Sequence, residues 1–230
     1  MLLRVWSPVE TLLGSFFLSI TKMKYNSPYS AALTGGGFLF DETNILLPLL
    51  RSENSEELLK KEKLENNLLQ INRQTSRERA IFEIRRRYNA VPKSFWDDYL
   101  QMPEQSQKIA LFYVILKTYK ICFDFQINVT RNKWQSISRS VTRDDLLMEF
   151  NEIGSRDEFV DSWTDNTRIK VAAAYLSILR KVGMLDEENQ LHAVKDTNEA
   201  MAYYIKIGEQ WFLEACLLQP YEINEIKKAL

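Results

Sequence analysis

Hydroxyl-x-x-carboxylate signatures recur along this chain, each just ahead of an apolar run of helical period. They read Thr75-x-x-Glu78, Ser94-x-x-Asp97, Thr142-x-x-Asp145 and Ser155-x-x-Glu158, with Asn54-x-x-Glu57 as a looser relative. Such capping boxes satisfy the free N–H groups of a helix start from both sides. Breakers are scarce at the same time, with 7 Gly and 6 Pro in 230 residues, so long helices are favoured over a many-turned β fold. The expected class is therefore all-α, a compact helical globule with helix-turn-helix elements, one of them winged by a short β-hairpin. A hydrophobic fraction of 45 % supports a real core.

The spacing of apolar residues predicts helices over 29–34, 41–51, 55–71, 76–88, 95–101, 104–123, 143–152, 156–162, 167–182, 197–218 and 221–229. Pro48 argues against the second of these. In 104–123, Ile109, Phe112, Leu116 and Tyr119 share a stripe that Leu111 and Ile115 widen, which marks a central core helix. Met201, Ile205, Phe212 and Cys216 form a similar stripe. One place reads as β. Gly183 ends a helix, Met184-Leu185 follow, Asp186–Asn189 turn, and Gln190–Val194 return. A weak boundary near 124–142 divides the chain into an N-terminal subdomain (23–125) and a C-terminal one (126–230). Residues 1–22 read as an N-terminal extension, with Met23-Lys24 as a plausible natural start. Their apolar run from Leu12 to Ile20 is too short to span a bilayer, and a cytoplasmic protein without membrane contact is expected.

Catalytic signals are weak. His192 is the single histidine and lies in the predicted hairpin without an obvious partner, so it reads as a surface residue. Cys122 and Cys216 sit in apolar stretches and read as buried free thiols. Thr34-Gly35-Gly36-Gly37 lacks the Gly-Lys-Ser/Thr of a phosphate-binding loop and reads as a helix stop and tight turn. No enzyme activity, cofactor, metal or small-molecule substrate is expected.

Charge is more informative. The net charge is only −1, so any nucleic-acid contact must come from local clusters. From Arg73 to Lys93 the basic residues are Arg73, Arg77, Arg79, Arg85, Arg86, Arg87 and Lys93, opposed only by Glu78 and Glu83, a local charge of +5. Ile81, Ile84 and Tyr88 form the face to be buried. Arg79 and Arg86 are expected to point outward together with Arg87 flanking them, and Arg85 falls near the edge of the buried stripe. Arg77 lies over that stripe, in the first turn. The arginine forks suit phosphate and guanine edges.

A second basic stretch, from Arg131 through Lys133 to Arg143, has no acid. Residues 144–165 then hold eight acids against Arg156 alone, a charge of −7. The helix that follows buries Val171, Tyr175, Ile178 and Val182 and offers Thr167, Arg168 and Lys170 at its start. A short helix, a turn, a longer helix and a hairpin are the order of a winged helix-turn-helix, whose second helix meets the bases. The candidate DNA-binding residues are thus Arg73, Arg77, Arg79, Arg85, Arg86, Arg87, Lys93, Arg131, Lys133, Thr167, Arg168 and Lys170.

The segment Tyr29–Leu39, the arginine-rich helix and the alanine-rich helix ending in Val182-Gly183-Met184-Leu185 together resemble the BrxA family, from about Met23 to the C-terminus. BrxA proteins are small core components of BREX, or bacteriophage exclusion, systems. The resemblance implies a nearly all-α fold, double-stranded DNA binding and work beside a DNA methyltransferase and other BREX proteins. The expected function is that of a non-enzymatic double-stranded DNA-binding accessory protein. Its rivals are a structural adaptor that docks other defence proteins and an RNA-binding helical protein.

Overall fold

In a computed structural model, residues 26–228 and Leu230 are described. The expected extension 1–22 lies outside them. The fold is all-α. A 3₁₀ turn (Ala32–Gly35) leads into α1 (Phe40–Arg51), α2 (Ser55–Glu65), α3 (Gln74–Tyr88), α4 (Lys93–Gln101) and α5 (Glu104–Thr118). Next come α6 (Lys120–Asp124), a π-helical stretch (Phe125–Thr130) and α7 (Arg131–Trp134). The chain continues through α8 (Arg143–Gly154), α9 (Glu158–Asp161) and α10 (Asp165–Val182), and closes with α11 (Asn198–Lys206), α12 (Trp211–Ala215) and α13 (Pro220–Lys228). Among the described residues, no helix is long and apolar enough to cross a membrane.

The central helix is α5, where every side chain from Ile109 to Leu116 is buried. Helices α3, α4 and α10 pack around it. One apolar cluster holds residues from both halves of the chain, and the position 125/126 lies inside the helical run from Lys120 to Trp134.

Helix ends depart from the sequence reading in instructive ways. Of the four capping boxes, only Thr142-x-x-Asp145 forms: the Thr142 hydroxyl accepts from Asp145 N–H and the Asp145 carboxylate accepts from Thr142 N–H. Thr75 and Ser94 lie inside their helices, because α3 and α4 begin one to two residues earlier, and Asn54 precedes α2 without a side-chain cap. Ser155 is passed over in favour of Asp157, whose side chain accepts from Val160 N–H. Thr164 and Thr197 cap α10 and α11 in the same way. Burial alone would raise the Asp145 carboxyl, but Lys133 and Thr142 outweigh it and hold it below the ordinary range. That contribution is lost as pH falls through the depressed value. Thr142→Ala is expected to lower stability by about 1 kcal/mol, measurable by urea denaturation. A change near zero would mean that Lys133 alone holds the start of α8.

Three long helices are shorter than expected. Asn66 turns left-handed (φ 55°) and ends α2 at Glu65. Tyr119 is extended (φ −118°, ψ 104°) and separates α5 from α6. Gly208 (φ 80°) closes α11, with Glu209 N–H donating to Tyr204 C=O at 2.7 Å. Pro48, by contrast, is accommodated inside α1. After Gly183 (φ 85°), the expected hairpin shrinks to an isolated antiparallel bridge, Leu185 to Leu191, beside a second, Ser140 to Gln190. No strand forms among the described residues.

Candidate nucleic-acid interface

The arginine-rich helix α3 divides its basic residues between the interior and the surface. Ile81, Ile84 and Tyr88 are buried, as their stripe predicts. Arg77 and Arg87 are buried with them, against the expectation that Arg87 flanks an outward face. Residue 87 is three on from Ile84 and Arg77 is three before Ala80, so helical geometry turns both toward the core. Each finds carbonyl acceptors there. Arg77 donates to Lys63 C=O at 2.7 and 2.9 Å and to Ile71 C=O at 2.7 Å, clamping the loop between α2 and α3.

Arg87 has 0 % of its surface exposed. It donates to Phe38 C=O at 2.7 Å, to Gly37 C=O at 2.5 Å and to the Tyr119 hydroxyl at 3.1 Å. The Tyr119 hydroxyl in turn donates to buried Glu83 at 2.6 Å. Burial pushes the Tyr119 phenol well above its ordinary range, so it keeps the proton it donates. Gly37 sits at φ 58° and Leu39 at φ 51°, a double left-handed turn whose carbonyls meet the guanidinium. The glycine-rich segment and the arginine run are thus two halves of one buried contact.

Arg86 and Arg85 are only partly available. Arg86 is half-buried, bonded to Ser30 at 3.1 Å, 3.9 Å from Glu83 and stacked over Tyr119. Arg85 is exposed and paired with Glu56. Arg73, Arg79 and Lys93 are exposed, without a side-chain partner among the described residues. Beside them, Phe82 is 62 % exposed.

In the second stretch, Lys133 pairs with Asp145 at 2.6 Å and Arg131 with Glu214 at 2.8 Å. Arg139, at φ 45°, lies over the Trp134 ring at 4.5 Å. Arg168 was expected to face solvent, but its side chain is only 15 % exposed. It donates to Asp161 C=O at 2.9 Å and Val160 C=O at 3.4 Å, neutralising the end of α9. Thr167 is half-buried and its N–H donates to the capping Thr164 hydroxyl. Val171, Tyr175, Ile178 and Val182 are buried as predicted, and Lys170 is exposed.

Of the opposite face of α10, the sequence reading named only Lys170. Asn166, Lys170, Ala173, Ser177 and Lys181 are all exposed at spacings of four, three, four and four, so they form one stripe along the 18-residue helix. Its two lysines have no partner among the described residues. Two small side chains lie between them, so a partner surface can approach the backbone closely. The 3.6-residue period applied to the polar positions would have found this stripe.

The chain's remaining reactive groups lie apart from this face. Cys122 and Cys216 are buried; burial pushes the Cys122 thiol up to about 12 and the Cys216 thiol further. His192 is exposed but partnered, 2.8 Å from Asp186, whose carboxyl that contact and the Gln190 amide hold below its ordinary range.

These features define an all-α protein built on a buried arginine–tyrosine–glutamate network, with one long helix presenting a free polar stripe. The family model BrxA matches residues 27–199, and the chain belongs to the BrxA family of BREX phage-defence systems. It is 25 % identical over 165 residues to the BREX protein BrxA of Bacillus cereus (strain H3081.97), covering 70 % of this chain and 80 % of that one. To the BREX protein BrxA of Paramagnetospirillum magneticum (strain ATCC 700264 / AMB-1) it is 23 % identical over 187 residues, 80 % and 94 % of the two chains. The fold is similar to the crystal structure of an uncharacterized protein from Magnetospirillum magneticum, with a TM-score of 0.70 at 23 % identity over 83 % of this chain and 98 % of that one.

Proposed function

We propose that this chain is a non-enzymatic, double-stranded DNA-binding accessory protein of its BREX system, acting in the cytoplasm beside other BREX proteins. The free stripe of α10 carries this reading. Its setting supports it: the run Lys120–Trp134, the bridge at Ser140, α8, the short α9, the long α10 and the bridge at Leu185 follow the order of a winged helix-turn-helix. In that arrangement the long helix enters the major groove. Lys170 and Lys181 reach phosphates at either end, and Asn166, Ala173 and Ser177 face base edges. The wing tip carries Asp186, Glu187 and Glu188, so it stands off the phosphates. Arg73, Arg79 and Lys93 supply a second, sequence-independent contact.

A catalytic role lacks support: the thiols are held protonated in the core and the histidine is paired with Asp186. The adaptor reading is favoured by exposed Phe82 on the arginine-rich helix. Titration of the protein against duplex DNA, single-stranded DNA and RNA at several salt concentrations separates the alternatives. Preference for duplex, with an affinity that falls steeply with salt, is expected. Salt-insensitive or absent duplex binding would leave the adaptor, and tighter binding to RNA would replace DNA as the ligand.

A further inference from the structure

On the side of the molecule formed by α4, α5 and α11 lies a cleft of about 260 Å³. Its floor is Ile109, Met201 and Tyr204, all buried, with Met102 on its wall. Two carboxylates stand at its mouth. Asp98 accepts from the Tyr203 hydroxyl at 2.9 Å, and Asp196 accepts from the Ser106 hydroxyl. Neither has an ion-pair partner, and no Lys, Arg or His lines the cleft, among the described residues. Elsewhere in the protein some exposed acids, such as Glu56 and Asp97, are paired with arginines, and others, such as Glu53 and Glu57, are not, among the described residues.

The two hydroxyls hold the carboxylates in place without neutralising them, so an apolar floor lies under a fixed charge of −2. An apolar anchor alone would leave that charge unanswered, and a bare cation would leave the floor wet. Ligand sites for whole cofactors are generally larger, about 300–1,000 Å³. A cavity of about 150 Å³ already holds a benzene ring. The size therefore suits one apolar side chain, with cationic neighbours at the rim.

We propose that this cleft docks a segment of another BREX protein: a leucine-, methionine- or phenylalanine-sized anchor flanked by Lys or Arg. The choice of a BREX partner rests on the function proposed above; the chemistry of the segment rests on the cleft alone. The anchor fills the floor, and its basic neighbours pair with Asp98 and Asp196. Complementarity of this kind selects partners more than it adds affinity.

The test uses the full-length protein and an array of overlapping twelve-residue peptides covering the other proteins of its BREX system. Retained peptides are expected to share an apolar residue within a few positions of Lys or Arg, and to lose binding when either is replaced by Ala. Asp98→Asn and Asp196→Asn keep the hydroxyl contacts and remove the charge. Each should weaken retained peptides roughly three- to fivefold, and Ala200→Phe, which fills the cleft, roughly tenfold. Duplex affinity, measured on the same variants, should not change, so failure here is separable from failure of DNA binding. If the Asn variants do not fold, raising salt on the unaltered protein should weaken the peptides by a similar factor. Retention of no peptide, retention of acidic peptides, or binding indifferent to Ala200→Phe overturns the proposal.

Discussion

Arg87→Ala is expected to destabilise the protein by about 3–5 kcal/mol, the scale for breaking a buried charged contact. The side chain has no exposed surface, and its removal orphans Gly37 C=O and Phe38 C=O and leaves the Tyr119 hydroxyl hydrogen-bonded only to Glu83. A chain of this size loses roughly 2–4 °C of melting temperature per kcal/mol, so a fall on the order of 10 °C should be seen by calorimetry. Lys will not rescue, because one ammonium cannot reproduce the planar fork that spans two carbonyls and a hydroxyl. Arg85→Ala, two residues away, is the control: it breaks an exposed pair with Glu56 and should cost less than about 1 kcal/mol. Equal effects from the two variants would show that the buried network does not organise the N-terminal turn.

Lys170→Ala combined with Lys181→Ala should leave stability unchanged, since both side chains are exposed and neither has a partner among the described residues. Duplex affinity at ~0.1 M salt should fall by roughly 10- to 100-fold, and the slope of log affinity against log salt should become shallower by about two units. Because phosphate contacts carry no sequence information, the loss should be similar for unrelated duplexes. Unchanged affinity and slope in the folded double variant would remove α10 as the DNA-contacting face. Arg73, Arg79 and Lys93 would then be the next candidates.

Together, the two expectations separate arginines that hold the fold from lysines that face a ligand. Composition did not separate them. The +5 stretch from Arg73 to Lys93 placed Arg77 over the buried stripe and Arg79, Arg86 and Arg87 outward, yet Arg87 is buried along with Arg77 and Arg85 is taken by an ion pair. Of the exposed lysines of α10, Lys170 was a candidate from the sequence and Lys181 was not, because it lies at the far end of the helix.

The sequence by itself determined the helical class, because breaker scarcity and 3.6-residue periodicity are local properties that packing does not reverse. It also determined the buried stripes Ile81–Ile84–Tyr88 and Val171–Tyr175–Ile178–Val182, the turn at Gly183 and the family. Tertiary structure decided the fate of the polar groups. Arg87 went inside because carbonyls some fifty residues earlier were turned toward it, and Arg168 because α9 ends against it. Tyr119 broke its helix where its hydroxyl links Glu83 and Arg87. An apolar residue is buried by any core, whereas a charge is buried only where specific acceptors converge on it. Helical spacing turns Arg77 and Arg87 toward the core, but the acceptors that let them stay there come from segments distant in sequence, which no local pattern reveals.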